Sequence, residues 1–136
     1  MTQDAQSKPR VTKASPDEYF FHLASVETVE AGPGYTSASG HVVEGERMMV
    51  GLMRLGAGEV TASHQHPNEQ WIYIIEGVFH AEVDGQTFEA GPGSVIYQPA
   101  NVIHGGRAGP DQDVVFFTVK DTSHGLHGKR VETQGA

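Results

Sequence analysis

Gly58-Glu-Val-Thr-Ala-Ser-His64-Gln-His66-Pro-Asn-Glu-Gln70-Trp-Ile-Tyr-Ile-Ile-Glu-Gly77 is the stretch on which the reading turns. His64 and His66 are spaced i, i+2. In an extended segment both side chains leave the same face. Two neutral imidazoles on one face suit Zn, Cu, Fe or Ni. Alone the pair is a weak signal, because an HxH on an exposed strand is most often polar surface. Counting parity onward from His66, Gln70 shares the imidazole face and Glu69 points away. A one-residue slip at Pro67 reverses that choice, so Gln70 is the expected third ligand and Glu69 the alternative. With Gln70 inward, Trp71, Tyr73 and Ile75 alternate outward. Three large side chains on one outer face exceed what a small monomer usually exposes. A homodimer through this face is expected, with residues 19–30 as the alternative cover.

The flanking sequence reads as strands cut by turn residues. Strand-like runs lie at Met48–Leu55, Gln70–Glu76, Val78–Val83, Gln86–Glu89, Val95–Gln98, Val102–His104 and Val114–Val119. Asp84-Gly85 between two of them is a strong hairpin signal. Short strands at intervals of roughly 8–12 residues predict a sandwich or barrel. Residues 1–18 are expected to be a flexible N-terminal segment, 19–121 the barrel, and 122–136 a polar C-terminal tail. Ser15-Pro16-Asp17-Glu18 has the form of a capping box with Pro at the first helical position. It predicts a short helix over Tyr19–Leu23, or else an edge segment that packs Phe20 or Phe21.

Composition sets the outer bounds. The 136 residues suit one domain, and 17 Gly with 7 Pro favour many tight turns. Absence of Cys excludes disulfides and thiolate metal sites. A formal charge of −8 argues against nucleic acid as a partner. No run approaches the roughly 18 apolar residues of a membrane span. The start, MTQDAQSKPR, lacks an apolar signal region, so a cytoplasmic location is expected.

With the motifs in view, the chain resembles the cupins. Gly58-x5-His64-x-His66-x3-Gln70-x6-Gly77 is similar to the first cupin motif, with Gln where Glu is usual. Gly93-x5-Pro99-x-Asn101-x2-His104 is similar to the second, with residues 78–92 between the two. The resemblance implies an all-β fold, the double-stranded β-helix or jelly-roll barrel, like the RmlC-like cupins. It also implies that His64, His66, Gln70 and His104 converge on one divalent metal ion per chain: Zn, Fe, Mn or Ni. Two further positions depart from the pattern. Asn101 replaces a glycine, which Asn tolerates in left-handed turns, and Ala108 stands where that motif often ends in Asn.

Gln70 in place of Glu leaves a divalent site with one more positive charge. Such a site should acidify bound water, polarise a substrate carbonyl or hydroxyl, and resist oxidation. That favours Lewis-acid chemistry of isomerase, lyase or cyclase type on a small polar or polyketide-like substrate. An Fe(II) dioxygenase is the runner-up and a non-catalytic small-molecule binder the third reading. Cupins that linearise unsaturated uronate sugars look similar, but Thr118 stands where they carry an Asp facing the metal. Tyr97, Phe117 and Phe79 are expected to supply the aromatic wall a polyketide would need.

Proton transfer needs a further group within hydrogen-bond reach. Tyr97, Asp121 and His127 are the candidates, with Tyr73, Glu69 and His41 behind them. His124 and His127 belong either to a surface tail or to a lid over the pocket. Arg54 and Arg107 are either forks for a substrate carboxylate or solvated strand-end charges. His80 is expected on the outer face, opposite to Phe79, Ala81 and Val83, and His22 on a surface.

Overall fold

The computed structural model describes residues 10–132. Among these residues, twelve strands form two sheets. They are β1 (Thr12–Lys13), β2 (Thr28–Glu30), β3 (Ser39–Glu44), β4 (Met48–Leu55), β5 (Val60–Gln65) and β6 (Gln70–Glu76), followed by β7 (Phe79–Val83), β8 (Gln86–Ala90), β9 (Val95–Gln98), β10 (His104–Ala108), β11 (Val114–Asp121) and β12 (Lys129–Arg130). One sheet runs β1-β3-β4-β11-β6-β9, with β2 also on β3. The other runs β12-β5-β10-β7-β8. From β4 onward the chain crosses between the sheets at every connection except the β7–β8 hairpin, as in a jelly roll.

Alternation along each strand builds the interior. In β6, Ile72 and Ile74 are buried while Trp71, Tyr73 and Ile75 are exposed. In β11, Thr118 and Lys120 are buried, and Phe116 packs on the same inner side. Leu55, Ile72, Ile74, Ala81, Ile96 and Val114 form the main core where the sheets meet. A second cluster of Val29, Val42, Met49, Met53 and Leu126 lies under the C-terminal segment.

Asp84-Gly85 turns β7 into β8 with both residues at positive φ, 51° and 81°. That is the geometry of a type I′ hairpin. Gly77, at φ 81°, closes the turn after β6, and a Cβ there would lie 2.2 Å from Asp113 O. Gly77 therefore meets two demands that only glycine satisfies together: a left-handed backbone and close approach of a neighbouring chain.

Several expectations differ from the structure. Ser15–Glu18 closes a turn, with Glu18 N donating to Ser15 O (3.0 Å) and Ser15 N to Glu18 Oε1 (3.0 Å). No helix follows over 19–23. Asp17 sits at φ 72°, and Tyr19 and Phe20 are 86% and 75% exposed, so no apolar face rewards a helix. A single 3₁₀ turn forms at Leu23–Ser25 instead. The strand expected at Val102–His104 begins at His104 and runs to Ala108. Within the N-terminal segment expected to be flexible, Thr12 and Lys13 pair with Val43 and Glu44; residues 1–9 lie outside the described range. The C-terminal segment is packed up to β12, which pairs with β5 beside His64, and Leu126 is buried. No helix among the described residues is long and apolar enough to cross a membrane.

Candidate metal centre

His64 and His104 stand directly opposite one another on antiparallel β5 and β10. Their rings are 4.2 Å apart between centroids. His66 follows just beyond the end of β5, 4.9 Å from the His104 ring. One ring nitrogen from each of the three lies within 4.8 Å of the other two.

Each ring is held by the same device. The Nδ1 atoms of His64, His66 and His104 pair with the backbone carbonyls of Ala62 (2.8 Å), Asn68 (3.0 Å) and Val102 (3.0 Å). A carbonyl only accepts, so each Nδ1 carries the proton and each Nε2 presents a lone pair. Burial holds the three rings neutral. It pulls His64 down to about 3, and His66 and His104 to about 4, from an ordinary 6.5. Mutual repulsion with nearby cations adds to the effect on each.

His66 Nε2 and His104 Nε2 are fully buried and have no hydrogen-bond partner. A buried acceptor without a partner costs about 1–3 kcal/mol. Two of them are a sizeable share of the roughly 5–15 kcal/mol that stabilises a domain. Three neutral, pre-oriented imidazole lone pairs fit a borderline divalent cation, which removes that cost.

Gln70 enters from the other sheet. Its Nε2 donates to Thr118 Oγ1 (2.7 Å), and Thr118 Oγ1 donates to Trp71 O (3.0 Å). Thr118 thereby fixes the amide with its oxygen as the free acceptor, against His66. Glu69 points outward, and Tyr97 Oη donates to its carboxylate.

The three His and Gln70 line a cavity of about 80 Å³. That exceeds the roughly 10–15 Å³ that one ordered water needs. Its floor is apolar: Leu55, Ile72, Ile74, Phe79 and Phe116. Tyr35 stacks on His64 at 4.0 Å, and its hydroxyl accepts from Gly128 N (2.8 Å). Burial raises the Tyr35 phenol above its ordinary pKa.

The three candidates for proton transfer stand outside this cavity. Tyr97 is on the outer face of β9, packed against Trp71 with the rings tilted and their centroids 4.5 Å apart. The Asp121 carboxylate accepts from Glu69 N, Ser123 N and the Ser123 hydroxyl, which hold it below the ordinary carboxylate range. His127 Nε2 pairs with Glu30 O (2.9 Å), and the His124 ring pairs with the Ser123 hydroxyl. His41 Nδ1 pairs with Val26 O (3.1 Å). Arg54 is tied to Asp113 (2.9 Å) and Arg107 is exposed on β10. His80 lies 3.8 Å from the Glu89 carboxylate, across the β7–β8 hairpin. Of the expected aromatic wall, Phe79 is in place, and Phe116 stands where Phe117 was expected.

Sequence reasoning missed Lys120. It is 4% exposed, lines the cavity, and donates from Nζ to Leu126 O. Burial lowers its ammonium to about 8 from 10.5. The available signal was parity: Lys120 lies two residues beyond inward-facing Thr118, on a strand that runs past Val119 to Asp121. Gln98 was missed for a similar reason. It is 3% exposed, and its Oε1 is buried without a partner.

Comparison with known proteins places this architecture. The family profile described as a cupin domain matches residues 51–120, so the chain belongs to the cupin domain family. Over 74 residues it is 28% identical to a 5-nitrosalicylic acid 1,2-dioxygenase from a Bradyrhizobium species. That match covers 54% of this chain and 36% of the relative, so the chain spans only about a third of that protein. The fold is similar to that of the polyketide cyclase RemF from Streptomyces resistomycificus (TM-score 0.70, 24% identity, covering 86% of this chain and 87% of that one). It is also similar to an RmlC-like cupin from Shewanella frigidimarina (TM-score 0.66, 19% identity, covering 79% and 93%).

Proposed function

We propose that this cupin is a metal-dependent enzyme that acts on a small polar or polyketide-like substrate without redox change at the metal. The observation that carries the reading is the set of three neutral imidazoles with inward Nε2 lone pairs above an apolar floor. His64, His66 and His104 would hold the ion, with Gln70 Oε1 as the fourth protein ligand. Zn, Fe, Mn and Ni all suit this donor set. A bound divalent ion supplies Lewis acidity, polarising a carbonyl or hydroxyl oxygen of the substrate. Gln70 and Thr118 add no negative charge, so the electrophilic character of the site is not offset by a ligand carboxylate. Leu55, Ile74, Phe79 and Phe116 exclude water from the inner end and pack the substrate body.

The relationship to a 5-nitrosalicylic acid 1,2-dioxygenase supports a second reading, an Fe(II) dioxygenase. Metal-stripped protein reloaded with Zn(II) or Fe(II) separates the two. Under argon, the Zn form should convert members of a panel of small hydroxy and keto compounds, followed by proton NMR. Conversion that requires Fe(II) and consumes oxygen would establish the dioxygenase instead. Tight binding with no turnover for any metal would leave a binding protein.

We also propose a homodimer through the outer face of β6 and β9. Trp71, Tyr73, Ile75, Val95 and Tyr97 are each 40–56% exposed there, and β9 is the terminal strand of its sheet. Contiguous apolar surface of this kind marks an interface. Sedimentation velocity should give a dimer, and Trp71→Glu should give a folded monomer. A monomeric parent protein would contradict this.

A further inference from the structure

Three polar side chains form one row across the wall of the cavity. Gln98 of β9 is paired in register with Gln70 of β6, and Gln70 with Lys120 of β11. All three line the cavity. Lys120 is the only ammonium or guanidinium among the described lining residues, and no Asp or Glu is among them. The hydrogen-bond acceptor of its Nζ is a neutral carbonyl, Leu126 O.

The Lys120 ammonium is buried, and the carboxylate that favours its charge, Asp121 next in sequence, is bound to Glu69 N and Ser123 outside the cavity, so an anion entering the cavity would be the one counter-charge on its inner side. Lysine suits an anion as a point charge with three donors, only one of which is taken here. Gln98, at the end of the row, has its carbonyl oxygen buried and unpartnered, an acceptor open to a donor on the incoming molecule. On the opposite wall stand the three imidazoles, and below lie Phe79, Phe116, Leu55 and Ile74.

We propose that Lys120 is a specificity-determining anion subsite, and that the substrate is a small organic carboxylate. Its carboxylate sits on Lys120 Nζ, its apolar body on the Phe79–Phe116 floor, and its reacting oxygen faces the His64–His66–His104 cluster. The proposal rests on the reading of this cavity as the substrate site of a metal-dependent enzyme.

The test is binding, not turnover. Acetate, propionate and benzoate are titrated calorimetrically into the full-length protein, and each is compared with its neutral amide. The metal-free and Zn-loaded forms are both measured. At least one carboxylate should bind about tenfold or more tightly than its amide, as loss of one charge-assisted hydrogen bond implies. Lys120→Met should abolish that preference while Zn stoichiometry stays unchanged. Equal binding of acid and amide, or no binding by any of the three acids, would overturn the proposal, and neither outcome depends on the variant folding. A carboxylate preference that survives in folded Lys120→Met would overturn it too. Zn uptake with no carboxylate preference would remove the subsite and keep the metal centre. A Lys120-dependent preference in protein that takes up no metal would do the reverse.

Discussion

Thr118 shows how much rests on one hydroxyl. It accepts from Gln70 Nε2 and donates to Trp71 O, and that chain of two bonds aims the Gln70 oxygen into the cavity. Thr118→Val keeps the volume and removes both bonds. It should lower unfolding free energy by about 1–3 kcal/mol, because a half-buried amide and the Trp71 carbonyl lose this partner; urea titration measures this. Metal uptake should persist, because the three imidazoles are oriented by backbone carbonyls and not by Thr118. An unchanged midpoint would mean that Gln70 is held by something else. That His64, His66 and Gln70 share one face was legible from strand parity, and that His104 joins them in one cavity from the spacing of the second motif. Lys120 was not, since an apolar run ending at Val119 hid the one further inward step that β11 takes.

At the scale of elements, turn chemistry was the most readable signal. Asp84-Gly85 gives the hairpin its form directly, since both residues adopt positive φ. The capping-box pattern at Ser15 misled for a physical reason. Its local bond forms, but nothing downstream buries an apolar helix face, so the turn is not propagated. Residues 122–132 read as a tail because they are polar and rich in glycine. They are fixed by partners far away in sequence: Asn68 Nδ2 donates to Asp121 O (2.8 Å) and to Gly125 O (3.0 Å). No local pattern encodes such contacts. Gly77 and Gly85 offer a controlled comparison, for both have φ 81° but differ in their surroundings. A Cβ on Gly85 meets nothing within 4 Å, whereas one on Gly77 meets Asp113 O at 2.2 Å. Gly85→Ala should cost about 1–2 kcal/mol, the left-handed penalty alone. Gly77→Ala should cost about 1–3 kcal/mol more, from overpacking. Equal losses in chemical denaturation would show that the close approach at Gly77 is relieved at no cost.

For the whole molecule, the His cluster couples stability to pH. In the unfolded chain these imidazoles titrate near 6.5, while in the folded protein they titrate at about 3 to 4. Between those values the unfolded state binds more protons, so stability falls as pH falls. The contribution is fully present above pH 6.5 and drains away toward pH 4. Metal-free protein should therefore melt at a constant temperature from about pH 7 to 8 and lose on the order of a few kcal/mol below pH 6. Saturating Zn(II) should move the fall to lower pH, because the ion competes with protons for Nε2. A metal-free melting temperature that is flat from pH 7 to 4 would mean that the rings are solvated and not buried.

The proposed function depends on His64, His66 and His104 acting together as a metal centre. Its most direct test is metal content, by inductively coupled plasma mass spectrometry, on untagged protein stripped with chelator and then dialysed against Zn(II). About one equivalent per chain is predicted, falling to background in both His64→Ala and His104→Ala. No uptake by the parent protein, or uptake undiminished in both variants, would contradict the account.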